Sequence, residues 1–222
     1  AELPTASLER AYHRFNHALP RFADEIAAQI VASTIETILF GRLQRLAARV
    51  GQAERANELL GGFGDMEEVR TSADLWSVAH GRLSLDQFLT RHGFRGPADG
   101  ELSNRSWRED AKPVEILLGP YRALPEDKRP DRAEAERSAA RARATSDLLG
   151  ALSGWDRARA RLLLTLGRRY IPLRVVAKAA FQQTFDVARA AARRIGVLHA
   201  EALRLADPDD VFYLTRHELL AP

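Results

Sequence analysis

The chain has 222 residues, 45% of them apolar, a formal charge of +3 and no cysteine. That is enough apolar sequence to bury a sizeable core without disulfides or cysteine–zinc sites. No unbroken apolar run reaches about 18 residues and no charged-then-apolar leader opens the chain, so neither a membrane span nor an export signal is expected, and the expected location is the cytoplasm. The basic balance is arginine, with lysine only at Lys112, Lys128 and Lys178. Its richest run, Arg129 to Arg169, is broken by Asp131, Glu134, Glu136, Asp147 and Asp156, the pattern of a salt-bridged helix surface rather than of a nucleic-acid stripe.

Taken in order, Ser7 to Leu19 reads as a short helix capped by Ser7 and ended by Pro20. From Ala23 to Val50, Ile26, Ile30, Ile35, Leu39, Leu43, Leu46 and Val50 return at helical spacing until Gly51 stops them. The turn Leu59 to Gly64 is glycine-rich, but it lacks the Lys-Ser/Thr ending of a phosphate loop. Two helices separated by Gly81 are expected between Glu67 and Gly93, the second opening on Ser84 and Gln87 as a capping box. Pro113, Pro120, Pro125 and Pro130 then confine regular structure to a short helix at Val114 to Leu118. Helical periodicity resumes at Asp131 and runs to Ala206, with breaks at Gly154 and Pro172. Val211 to Leu214 reads as a short strand or a docking segment, and Thr215 to Leu220 as a cap and first turn. The fold class is all-α, a helical bundle-like domain with an irregular Gly/Pro-containing middle loop and, as an option, a short C-terminal strand. One domain over 1–222 is expected, with 1–125 and 126–222 as the alternative subdivision.

Residues that carry chemistry are few. Of the six histidines, only His13 and His17 stand four apart on an expected helix, and no acid or further histidine sits where zinc or di-iron ligation needs it, so no metal is expected. No Gly-x-Ser-x-Gly elbow and no cysteine nucleophile exist, so no catalytic set is contained in the chain. The informative segment is His92-Gly93-Phe94-Arg95-Gly96-Pro97, which interrupts a helical chain and leads into a run carrying Arg95, Asp99, Glu101, Arg108, Glu109 and Asp110. It reads either as the lining of a cleft or as a structural elbow whose charges pair among themselves. A second group, Arg174, Lys178 and Gln182, lies at four-residue steps on one helix face, with Leu173, Phe181 and Phe185 beside it. It would hold an anionic or oxygen-rich ligand, or serve as a solvated stripe.

The ordered set LDQFL (85–89), RHGFRGPADGEL (91–102), WRED (107–110), the Arg174 and Lys178 helix and DPDDVFYLTRHEL (207–219) resembles the central helical domain of rifampin phosphotransferases, within the phosphoenolpyruvate-utilising enzymes. The resemblance implies antibiotic-resistance chemistry in which phosphoryl passes from ATP to a histidine in a Thr-Ser-His context and then to an acceptor such as a rifamycin hydroxyl. It further implies an ATP-grasp domain and a phosphohistidine domain. Neither is recognised in this chain, and ATP and magnesium are expected only with them. The function implied is that of an acceptor-binding domain, a fragment of a dikinase-type phosphotransferase inactive alone. Its partners would be a bulky apolar small molecule and those two domains in cis or trans, with no nucleic acid and no membrane. Arg95, Arg174 and Lys178 would hold acceptor or phosphate oxygens, Gln182 would extend their row, and Glu101 would orient Arg95 or the acceptor hydroxyl. The alternative is a helical scaffold or interdomain interaction module without a small-molecule site.

Overall fold

A computed structural model describes residues 3–64, 66–98 and 100–220. The α-helices are α1 (Leu8–Arg49), α2 (Ala56–Leu59), α3 (Glu67–Ala79), α4 (Leu85–His92), α5 (Lys112–Arg122), α6 (Pro130–Ala151) and α7 (Gly154–Glu201). No strand occurs among the described residues, and the fold is all-α as the periodicity implies.

Two compact units emerge from the chain, each assembled from separate segments. The first gathers 1–26, 89–115 and 179–222, the second 27–88 and 116–178. Helices α1, α4, α5 and α7 contribute residues to both.

In the second unit, Leu39, Leu43, Leu46 and Ala47 of α1 pack with Leu59, Ala144, Leu148, Leu152, Ala160, Leu163 and Leu164. Leu39, Leu43 and Leu46 are positions that the helical period selects, whereas Ile30, selected with them, is exposed; α6 also lies against α2 and α3. Gly62 has φ +63 and a methyl there would meet the backbone of Arg137 at 2.4 Å, so only glycine lets this turn lie on α6. The core of the first unit is built from smaller residues: Ala6, Ala11, Phe15 and Ala18 meet Ala188, Ala191, Ala192 and Ile195, with Val211 and Leu219 closing over them.

Four expectations are corrected. Pro20 does not end a helix; α1 runs through it for 42 residues. Proline removes one backbone donor and strains one turn, and the burial of Ala11, Phe15 and Ala18 before it keeps the chain helical. Pro172 likewise lies inside the 48-residue α7, where Ile171 and Val175 are buried on either side. Val211 to Leu214 is not a strand, because the chain forms a 3-10 helix over Pro208–Tyr213. Asp207 accepts a hydrogen bond from the Asp209 amide at 2.8 Å and Asp210 accepts one from the Asp207 amide at 3.3 Å. This reciprocal cap and Pro208 outweigh the extended preference of the Val-Phe-Tyr run. The short helix expected at Val114 to Leu118 is longer, spanning Lys112–Arg122, because Pro113 and Pro120 occupy its first and last turns.

Hydropathy averaged over a window adds something that unbroken runs conceal. An 18-residue window of α1 reaches a mean hydropathy of 1.3, long and apolar enough to cross a membrane by length and composition, and 17% of it is buried.

Candidate functional site

The interrupting segment begins where α4 ends. Ser84 and Gln87 open that helix as a reciprocal cap, each accepting the other's amide at 3.1 Å. Gly93 closes it: its amide donates to the Leu89 carbonyl at 2.9 Å, and a methyl on Gly93 would lie 2.2 Å from that oxygen and 3.0 Å from Cβ of Arg108. The chain then turns back on itself. The Trp107 amide donates to the Arg95 carbonyl at 2.7 Å and the Arg108 amide to the Gly93 carbonyl at 3.0 Å.

Each residue of Trp107-Arg108-Glu109-Asp110 takes a defined part. Arg108 reaches Asp186 at 3.1 Å. Glu109 accepts from the amide and hydroxyl of the buried Ser106 at 2.8 and 3.0 Å, and Asp110 caps α5 by accepting from the Lys112 amide at 3.0 Å. His92 and Arg95 are buried, with the Arg95 guanidinium 5.3 Å from the Phe94 ring centre.

What receives this loop is a polar face of α7. Gln182, Asp186, Arg189 and Arg193 recur at steps of four, three and four, and the first three are buried. Arg189 donates to the Glu101 carbonyl at 3.1 Å and lies 3.8 Å from Asp186. Arg193 pairs with Glu109 at 3.0 Å, donates to the Ser103 carbonyl at 2.6 Å and pairs with Asp209. Burial pushes the Asp186 carboxyl above its ordinary range, against the opposing pull of Arg108, Ser106 and Arg189. The hydroxyl and amide of Ser103 hold the exposed Glu101 carboxyl below its ordinary range, which keeps it ionised.

Two cavities adjoin in this unit and share Phe212. One, of about 490 Å³, is lined by Glu101, Ser103, Asp207, Asp209, Asp210 and Tyr213 as well as Phe212. The other, of about 150 Å³, is mostly apolar, with Phe15, Leu19, Leu102, Val211, Leu214 and Leu219 among its walls and Arg216 at its edge. Glu101 and Leu102, consecutive in sequence, thus reach the two chambers separately.

The residues singled out from sequence do not gather in one unit. Arg95, Glu101 and Gln182 belong to the first, and only Glu101 among them lines one of these two cavities. Arg174 and Lys178 belong to the second, where Arg174 pairs with Glu36 at 2.8 Å and Lys178 with Glu68 at 3.7 Å. Asp99 lies outside the described residues. His13 and His17 stack at 6.0 Å between ring centres. Among the described residues no cluster of three or more histidines and acids has metal-binding geometry. Asp186, Arg189 and Arg193 were missed because arginine among alanines reads as solvated helix surface. The signal that finds them is their helical spacing in step with Gln182.

A search of curated proteins finds no match. Residues 81–174 match the family model for the rifampicin phosphotransferase fourth domain. The matched stretch holds α4, the doubled-back loop with Arg95 and Glu101, α5, α6 and α7 as far as Arg174. Over this stretch the chain is similar to the rifampicin phosphotransferase fourth domain.

Proposed function

We propose that the chain binds the acceptor for a phosphotransferase whose ATP-grasp and phosphohistidine domains are supplied in cis or trans, and that it does not transfer phosphoryl alone. The observation that carries this reading is the pair of cavities about Phe212, one apolar and one rimmed by carboxylates, with the ionised Glu101 at the edge of the second. Such a depression suits a bulky, largely apolar molecule with polar groups on one side. Phosphoryl transfer demands positioning of the acceptor more than covalent chemistry from the domain that holds it. Glu101 would orient an acceptor hydroxyl, and Phe212 would supply the apolar contact.

A ligand that binds only the folded state raises apparent stability, by more as its concentration exceeds its Kd. Rifampicin is therefore expected to raise the melting temperature, whereas phosphoenolpyruvate, pyruvate and ATP are not. Phe212→Ala is expected to weaken rifampicin binding by about tenfold or more, the loss usual for an anchoring aromatic. Silence with rifampicin, or an unchanged affinity in Phe212→Ala, counts against the reading.

A scaffold reading is favoured by one specific observation: Arg108, Glu109, Arg189 and Arg193 are engaged in bonds that fix the loop to α7. In that case Glu101→Ala and Phe212→Ala alter stability alone, and calorimetry with rifampicin shows no heat of binding for any variant.

A further inference from the structure

Helix α1 carries an exposed face that its own chain leaves uncovered. Ile30, Val31 and Ile38 are 57%, 58% and 49% exposed, and Ala27 and Thr34 are exposed with them. Ala27, Val31, Thr34, Ile38, Gly41 and Arg45 follow one another at steps of four, three, four, three and four. This is the seam spacing of a coiled coil. The seam occupies a sector of the helix that excludes the buried positions Ala32, Leu39, Leu43 and Leu46. A methyl on Gly41 would meet nothing within 4 Å, so the seam is open at that end. Contiguous exposed apolar faces of this kind mark interaction surfaces.

The pattern is also symmetric about Thr34. Ile30 and Ile38 stand four residues to either side of it, and the small residues Ala27 and Gly41 stand seven to either side. The ends carry opposite charge: Asp24 is exposed before the apolar stretch, and Arg42 and Arg45 are exposed after it. Among the described residues neither Asp24 nor Arg42 has an ion-pair partner, and the Arg45 side chain donates to the Gly41 carbonyl at 3.1 Å.

We infer that this face of α1 binds the same face of a second copy of the chain, antiparallel, about a two-fold axis at Thr34. That arrangement sets Ile30 against Ile38 of the second copy and lets the backbones approach where Ala27 meets Gly41. It also brings Asp24 beside Arg45. Antiparallel helices oppose their dipoles favourably as well, and an isologous contact closes after two copies. A seam formed by one helix pair lies at the low end of the roughly 1,200–2,000 Å² that stable complexes bury, so the dimer is a weak one.

The test uses the whole chain. Sedimentation velocity from about 1 to 100 µM is expected to show a monomer–dimer equilibrium in the micromolar range. Asp24→Arg and Arg45→Asp are each expected to weaken it by about tenfold, and the double variant to restore it, as opposite-charge pairing requires. Because the chain has no cysteine, Thr34→Cys introduces a single thiol that should oxidise to a covalent dimer. Ala27→Cys should not, since its counterpart is Gly41; in a parallel pairing both would cross-link. A monomer at every concentration, equal cross-linking of the two cysteine variants, or a double variant no better than the singles overturns the inference. So does a monomer that floats with phosphatidylglycerol vesicles, which would assign the face to lipid.

Discussion

Replacing Asp186 with alanine is expected to cost about 3–5 kcal/mol, the usual penalty for breaking a buried charge pair on one side. The carboxylate is 9% exposed and stands between Arg108, at 3.1 Å, and Arg189, which is itself 3% exposed. Removing it takes a counter-charge from a buried guanidinium and unfastens Arg108, so the loop over 93–110 loses one of its ties to α7, while Arg189 and Arg193 still hold it. Urea denaturation measures the loss. A decrease below about 1 kcal/mol would mean that Arg189 is satisfied without this carboxylate.

Asparagine at the same position separates charge from shape. Burial raises the folded-state pKa of Asp186 above its ordinary value, so the folded protein binds this proton more tightly than the unfolded chain does. The stability contributed by protonation is therefore fully present below about pH 3.9, the ordinary carboxyl value. It is lost as pH rises through the raised folded value. Asp186→Asn does not titrate, so the stability of the parent relative to this variant should fall with pH across that window. Melting temperatures of the two proteins between about pH 3 and 7 decide the matter, and a difference that is flat or widens in the parent's favour refutes the sign.

The same residue shows why the site was harder to read than the fold. Helix faces follow from apolar periodicity, and Leu39, Leu43 and Leu46 lie in the core where the spacing places them. Gly93 and Gly96 mark the interruption after α4 because backbone crowding there tolerates no side chain at Gly93 and little at Gly96. Proline misled in the opposite direction. Local rules make Pro20 and Pro172 boundaries, yet burial before Pro20 and on both sides of Pro172 outweighs one missing hydrogen bond. The loop's partners on α7 were hidden for a third reason. A helix rich in alanine and arginine looks solvated unless its polar residues are tested for the same periodicity as its apolar ones. Gln182, Asp186, Arg189 and Arg193 pass that test, and they are the polar counterpart of the apolar stripe that defines the core.

Gly196→Ala is expected to destabilise the protein by about 2–4 kcal/mol, combining overpacking with lost burial of one aliphatic side chain. A methyl at Gly196 would stand 2.0 Å from the Pro208 carbonyl oxygen and 3.0 Å from Cβ of Val211. Neither neighbour yields easily. Pro208 is fixed by its ring and by the Asp207–Asp210 cap, and Val211 is 2% exposed within the core of its unit. The 3-10 segment must therefore lift from α7, carrying Val211 out of the core and Phe212 away from both cavities it borders. Gly119→Ala provides the contrast. A methyl there meets nothing within 4 Å on the exposed side of α5, so helix propensity alone should stabilise that variant by about 0.5–1 kcal/mol. Chemical denaturation of the two variants side by side distinguishes close packing from propensity. If Gly196→Ala were as stable as Gly119→Ala, the 207–213 segment would not be packed on α7, and the cavities about Phe212 would lose their wall.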